Sequence, residues 1–282
     1  MQAISDVCVD LVDGYILVDP CNYGEFNSEG IEMIACIPPR MGNGQDLMPR
    51  LIDVGKLSPL QLARIMETIR QQLEEEHPFA VCAILNSEAD IDALAEHIAQ
   101  FLIGPGPHGE KLLWRYFDPR VFVSTISIFS NVQREVLLGP IKTWKFIWFR
   151  QWWSVSSEQK KFNHLEISDT VWPSEKQWPA ISQSRMLNRV LKKLYSEEKI
   201  GTELLLDSSR TASGYLVEGL SHLHLSEEED RVEFAYLCTK YGVEYCQRQT
   251  FKKDLLALKN GQICWTELRN RMDQDKSGKF ED

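Results

Sequence analysis

The feature that most constrains this fold is a change in hydrophobic periodicity partway along the chain. Up to about residue 150, short apolar runs alternate with stripes at helical spacing; past about residue 180, only helical stripes remain. Tyr15, Ile16, Leu17 and Val18 form a β-prone run closed by Asp19-Pro20, residues 31–37 form another closed by Pro38-Pro39, and residues 50–54 a third. Leu62, Ile65, Met66, Ile69 and Leu73 then fall on one helical face, with Ser58-Pro59 as its start. Residues 79–85 are almost continuously apolar, which predicts a strand buried on both faces. Ser87, paired with Asp90, predicts the cap of a helix whose stripe is Ile91, Leu94, Ala95, Ile98 and Leu102, stopped by Gly104-Pro105-Gly106-Pro107. Strands are expected at 112–117 and 141–149, with a helix at 132–138 between them.

This alternation predicts an α/β domain over residues 1–155, a mixed sheet with flanking helices. Residues 156–180 lack periodicity, contain Pro173 and Pro179, and are read as a linker. Residues 181–282 are read as an all-α C-terminal domain. Leu187, Val190, Leu191 and Leu194 make one stripe. Ser226 before Glu227, Glu228 and Glu229 starts another helix, whose stripe is Phe234, Leu237, Cys238 and Tyr241, with Gly242 placed to end it. Phe251, Leu255 and Leu258 make a further stripe, and Leu268 and Met272 a last one.

The net charge of −10 over 282 residues argues against nucleic acid as a partner, because a phosphate backbone attracts a basic face, and against anionic membrane. The first residues carry no basic region and no long apolar run, and no stretch approaches about 18 apolar residues, so neither a signal peptide nor membrane insertion is expected. Seven scattered cysteines without a CxxC pair suggest reduced thiols in a cytoplasmic protein. Phosphate-loop, dinucleotide, nucleophile-elbow and HExxH patterns are missing, so no catalytic residue, metal or cofactor is expected. His222 and His224 have no third ligand in view. Asp273, Asp275, Ser277 and Gly278 copy only the first half of a calcium loop. His97 is expected to face water on the polar side of its helix.

The most informative segment is Trp114-Arg115-Tyr116-Phe117-Asp118-Pro119-Arg120-Val121. Asp118 suits a helix cap with Pro119 in the first turn, and Arg115 and Arg120 are both placed to grip Asp118 or a partner's carboxylate. An ion-pair corner and a partner-contact site both fit this pattern. Trp144, Trp148, Trp152 and Trp153 cluster nearby, and tryptophan and arginine are common interface anchors. The acidic runs at 74–76 and 227–230 fit a basic cargo face or solvated helix ends.

Taken in order, Tyr15 to Asp19, Pro49 to Asp53, the helix from Ser87, Lys111 to Val121, and Leu138-Gly139-Pro140 with the apolar strand after it resemble the type VI secretion effector chaperones. The resemblance covers about residues 13–150 and is looser over the helical tail. It departs at Glu74 to Pro78, where the family carries a Trp/Gly-rich stretch, and at the Gly42 to Gln45 loop. It implies a non-catalytic adaptor, without cofactor, that binds a secreted effector and hands it to the VgrG spike protein in the cytoplasm of a Gram-negative bacterium. The candidate partner-binding residues are Arg115, Tyr116, Asp118, Arg120, Trp152 and Trp153. The competing expectations are a hydrolase-like enzyme with an unrecognised site and a structural subunit of the secretion apparatus.

Overall fold

The computed structural model describes residues 1–4, 13–22, 30–39, 41–74, 80–158, 172–198 and 202–277. Side chains at 273–277 are not among them, so the half calcium loop lies outside the described residues, as do Glu75, Glu76 and Phe79. The chain forms two compact units, Met1–Ile181 and Ser182–Asp282.

The first unit is α/β. Its sheet has seven described strands in the order β1 (Gln2–Ile4), β9 (Gln151–Ser156), β8 (Ile141–Trp148), β5 (Val81–Ser87), β2 (Tyr15–Val18), β4 (Arg50–Asp53), β3 (Ile34–Ala35). Every described pairing is antiparallel: β4 and β5, joined through α1, run the same way but are separated by β2, which pairs antiparallel with both. The central strand β5 is buried from Val81 to Leu85, as its apolar run requires. One face packs Ile16, Ile52, Ile84, Ile147 and Trp152 against Ile65, Met66 and Ile69 of α1 (Pro59–Glu74). Ser58 and Gln61 cap α1 reciprocally, Gln61 Oε1 accepting from Ser58 N at 2.9 Å and Ser58 Oγ accepting from Gln61 N at 3.3 Å. On the other face, Phe122 of α3 (Pro119–Ile128) stacks on Trp144 at 4.5 Å and meets Phe146 edge-on at 5.3 Å.

Several local expectations are displaced. The cap of α2 (Ile91–Gln100) is Asp90, which accepts from Ala93 N at 2.8 Å. Ser87 instead ends β5 and donates to the Pro140 carbonyl at 2.9 Å. The strand expected at 112–117 is only β7 (Lys111–Leu113), paired with β6 (Ile103–Pro105) in a separate two-stranded ladder. His97 does not face water. It is half-buried against Phe101, its Nε2 lies 3.0 Å from the Leu137 carbonyl at the end of α4 (Asn131–Leu138), and desolvation holds its pKa below the ordinary value. Gly139 follows with φ 52°, and a Cβ there would sit 2.1 Å from the His97 ring, so only glycine fits.

The end of the stretch read as a linker belongs to the first unit. Trp172 packs on Trp114 at 5.7 Å, and Gln177 donates to Gln133 at 2.9 Å and to the Ile128 carbonyl at 3.2 Å. These contacts hold α5 (Trp178–Ile181), with Trp178 and Ile181 buried. Residues 159–171 lie outside the described residues.

The second unit is helical: α6 (Ser184–Glu197), α7 (Thr202–Ser221), α8 (Glu228–Cys246), α9 (Gln249–Lys259) and α10 (Trp265–Ser277). Its centre gathers Val190, Leu191, Leu205, Ala212, Leu216, Phe234 and Leu268, with Phe234 edge-on to Tyr215 and Trp265. Gly242 interrupts α8 as its sequence suggests, but helix resumes and runs on to Cys246. No helix among the described residues is long and apolar enough to cross a membrane.

Candidate partner-binding site

The segment 114–121 leaves the β6–β7 ladder, turns, and enters α3. Trp114 N donates to the Leu102 carbonyl at 2.7 Å, which fixes the start of the turn. Asp118 caps α3, accepting from Arg120 N at 2.9 Å, and Pro119 fills the first turn where no amide donor is needed. The Arg120 guanidinium closes on the same carboxylate with two bonds, Nε to Oδ1 at 2.9 Å and Nη2 to Oδ2 at 2.5 Å. This is the fork geometry available to arginine and not to lysine.

Arg115 takes a different partner from the one its sequence neighbourhood suggests. Its Nη2 pairs with Asp19, immediately after β2, and not with Asp118. The Asp19 side chain is fully buried and satisfied: besides Arg115 it accepts from Cys21 N at 3.0 Å and from Asn22 Nδ2 at 2.7 Å. Burial raises the Asp19 pKa, and the Arg115 charge opposes that rise without cancelling it. Burial alone lowers the Arg115 pKa, but Asp19 and then Asp118 outweigh it and the net shift is upward. The hydrogen bond to Asp118 raises that of Arg120. Arg115 also lies over the Phe117 ring at 5.4 Å.

Asp19 and Cys82 belong to this cluster and neither was selected from sequence. Asp19 stood there as the end of a strand motif; an acid closing an apolar strand before proline was the only signal. Cys82 lies beneath, buried, its thiol pushed far up by burial and then by the charges of Asp19 and Asp118. That makes it an inert core thiol.

Two of the six candidate residues offer substantial surface. Arg115 and Arg120 keep 33% and 43% of their side chains exposed, so a partner can reach both guanidiniums although each is held by an acid. Asp118 is nearly buried and serves as cap and clamp. Tyr116, Trp152 and Trp153 must be removed as surface contacts. Tyr116 is buried with its hydroxyl on the Ile98 carbonyl at 3.2 Å. Trp152 packs in the α1-facing core, and Trp153 donates from Nε1 to the Trp148 carbonyl at 2.9 Å. Adjacent strand residues point to opposite faces, and here both faces of β9 are covered, so two neighbouring tryptophans serve two cores.

The acidic run at the start of α8 is partly neutralised within its own unit, where Arg189 of α6 reaches Glu229 at 2.5 Å and Glu228 at 3.9 Å. Among the described residues, no group of three or more histidines, cysteines and acids is arranged to hold a metal ion.

The fold and the cluster together define an antiparallel α/β unit with an arginine–aspartate corner, followed in sequence by a helical unit. A family described as a domain of unknown function (DUF4123) matches residues 43–135. That stretch runs from the loop before β4 into α4 and includes Arg115, Asp118 and Arg120, while Asp19 lies before it. No curated protein and no solved structure matches the chain.

Proposed function

We propose that this protein is a non-catalytic adaptor chaperone that binds a type VI secretion effector in the cytoplasm and loads it onto the VgrG spike. The observation that carries this reading is the ordered set of sequence pieces between residues 13 and 150 that resembles the effector chaperones. Its most specific string, 115–121, falls inside the matched domain. The site geometry supports the same reading. Arg115 and Arg120 are held in place by Asp19 and Asp118, so presenting their outer faces costs little further side-chain entropy. Guanidinium groups so placed suit carboxylates and backbone carbonyls of another polypeptide.

The test is to read the genes flanking this one and to co-express this chain with any effector and VgrG protein they encode. The three proteins are expected to co-purify, and Arg120→Ala is expected to weaken effector binding about tenfold, which corresponds to about 1.4 kcal/mol. Circular dichroism of that variant should match the parent, because the Asp118 cap survives, while melting is expected to fall because the nearly buried carboxylate loses its cation, so binding is compared at a temperature where both are folded. Failure to associate with either neighbour, or normal export of every effector in a deletion strain, removes this function.

A further inference from the structure

Helix α8 carries two cysteines, Cys238 and Cys246, eight positions apart. Along an unbroken helix that separation is about 12 Å. Gly242 stands midway with φ 77° and ψ 174°, a conformation that glycine tolerates and helices do not contain. Across the break, Cys246 turns back toward Cys238. Cys246 Sγ lies 3.8 Å from the Cys238 carbonyl oxygen, and the two thiols are near enough to shift one another's pKa in opposite directions. Tyr215 of α7 hydrogen-bonds Cys246 from the neighbouring helix.

The two sulfurs are in unequal environments. Cys238 is buried and Cys246 is partly exposed. The hydrogen bond with Cys238, followed by that with Tyr215, lowers the Cys246 pKa to about 7, against burial and the charge of Glu218. Burial drives the Cys238 pKa well upward. An accessible thiol ionised near neutrality therefore touches a protonated thiol behind it, the arrangement of an attacking and a resolving cysteine.

We propose that Cys246 and Cys238 are a redox-active dithiol, which low-molecular-weight disulfides convert into an intramolecular disulfide across the helix break at Gly242. The Cys246 thiolate attacks one sulfur of the small disulfide, whose sulfur–sulfur bond breaks, and one half departs as a thiolate. That thiolate takes the Cys238 proton as the Cys238 sulfur attacks Cys246, expelling the second half, which is protonated from solvent. Two protein thiols lose two electrons, and one small disulfide is reduced to two thiols. The new bond fixes the bend of α8.

The full-length protein incubated with oxidised glutathione at pH 7, alkylated and mapped by mass spectrometry provides the test. The parent should yield a peptide pair joining Cys238 to Cys246. Cys238→Ser should stop at a mixed disulfide on Cys246, and Cys238→Ala should do the same if the serine variant misfolds. Cys246→Ser should leave Cys238 reduced. In the parent, Cys246 should react faster than the exposed Cys264, with half-maximal rate near pH 7. The proposal is overturned if Cys246 stays reduced, reacts no faster than Cys264, or pairs with any cysteine other than Cys238.

Discussion

The two units bury charge to different depths. The first buries Asp19 completely and Asp118 nearly so, then secures each with an arginine that reaches in from the surface. The second seals none of the acids of its described ion pairs: Arg189 meets Glu229, which is 77% exposed, and Arg269 meets a half-buried Glu233 at 3.1 Å. Tryptophan divides the same way, since seven of the eight lie in the first unit and only Trp265 in the second. A sheet with both faces covered has room for large rings and must pin its connecting turns from within. A bundle of amphipathic helices fills its centre chiefly from leucine-sized stripes, here with a few rings around Phe234, and leaves its polar faces in water. The lesson is that ion pairs of equal length differ in worth according to where the carboxylate sits.

Three measurements break or sharpen that contrast. Arg115→Ala leaves the Asp19 carboxylate buried without its cation. The expected cost is about 3 kcal/mol in urea unfolding, the low end for broken buried pairs because Arg115 is itself one-third exposed. A loss below about 1 kcal/mol would reduce this corner to a surface pair.

The next effect is a pH dependence of the first unit. The folded-state pKa of His97 is depressed by burial, so its stabilising contribution is present above the ordinary value of 6.5 and is lost as pH falls below it. The expected slope is at most about 1.4 kcal/mol per pH unit, and His97→Gln, measured by the same unfolding titrations, should flatten it. Asp19 acts with the opposite sign at lower pH. Its folded pKa is raised, so its contribution is present below the ordinary 3.8 and is lost as pH climbs through the raised value. An unchanged slope in the His97 variant would place the acid sensitivity elsewhere.

The smallest effect belongs to the second unit. Arg189→Ala should cost under about 1 kcal/mol, because water screens the pair and each long side chain gives up entropy to make it. A loss above about 2 kcal/mol would erase the distinction between the units, since exposed pairs do not reach that size.

The sequence was legible where a local pattern carried the whole signal. The apolar run of β5, the stripe of α1 and the acid–proline cap of α3 stand where expected. It was silent where the signal was weak. Strand β9 went unseen because its hairpin turn is Phe149-Arg150, both at positive φ (48° and 55°), with none of the asparagine or glycine that usually marks such a turn. Helix α7 went unseen because Ser209 and Ala212 occupy its buried stripe beside Leu205 and Leu216, and small residues hide the apolar period. In the candidate site, both arginines and the capping Asp118 were readable. Tyr116, Trp152 and Trp153 were misread because residue type does not reveal whether an aromatic ring faces water or core.

By itself the sequence determined the strand of β5, the helix of α1, where α3 is capped, and that the chain passes from an α/β region to a helical one. Those are outcomes of interactions within a few residues. Only the tertiary structure decided that Arg115 chooses Asp19, 96 positions away, over Asp118, three positions away. The reason is burial: beside Arg120 the Asp118 carboxylate already has its fork, whereas Asp19, sealed beneath the turn, needs a cation that only the folded chain brings within reach.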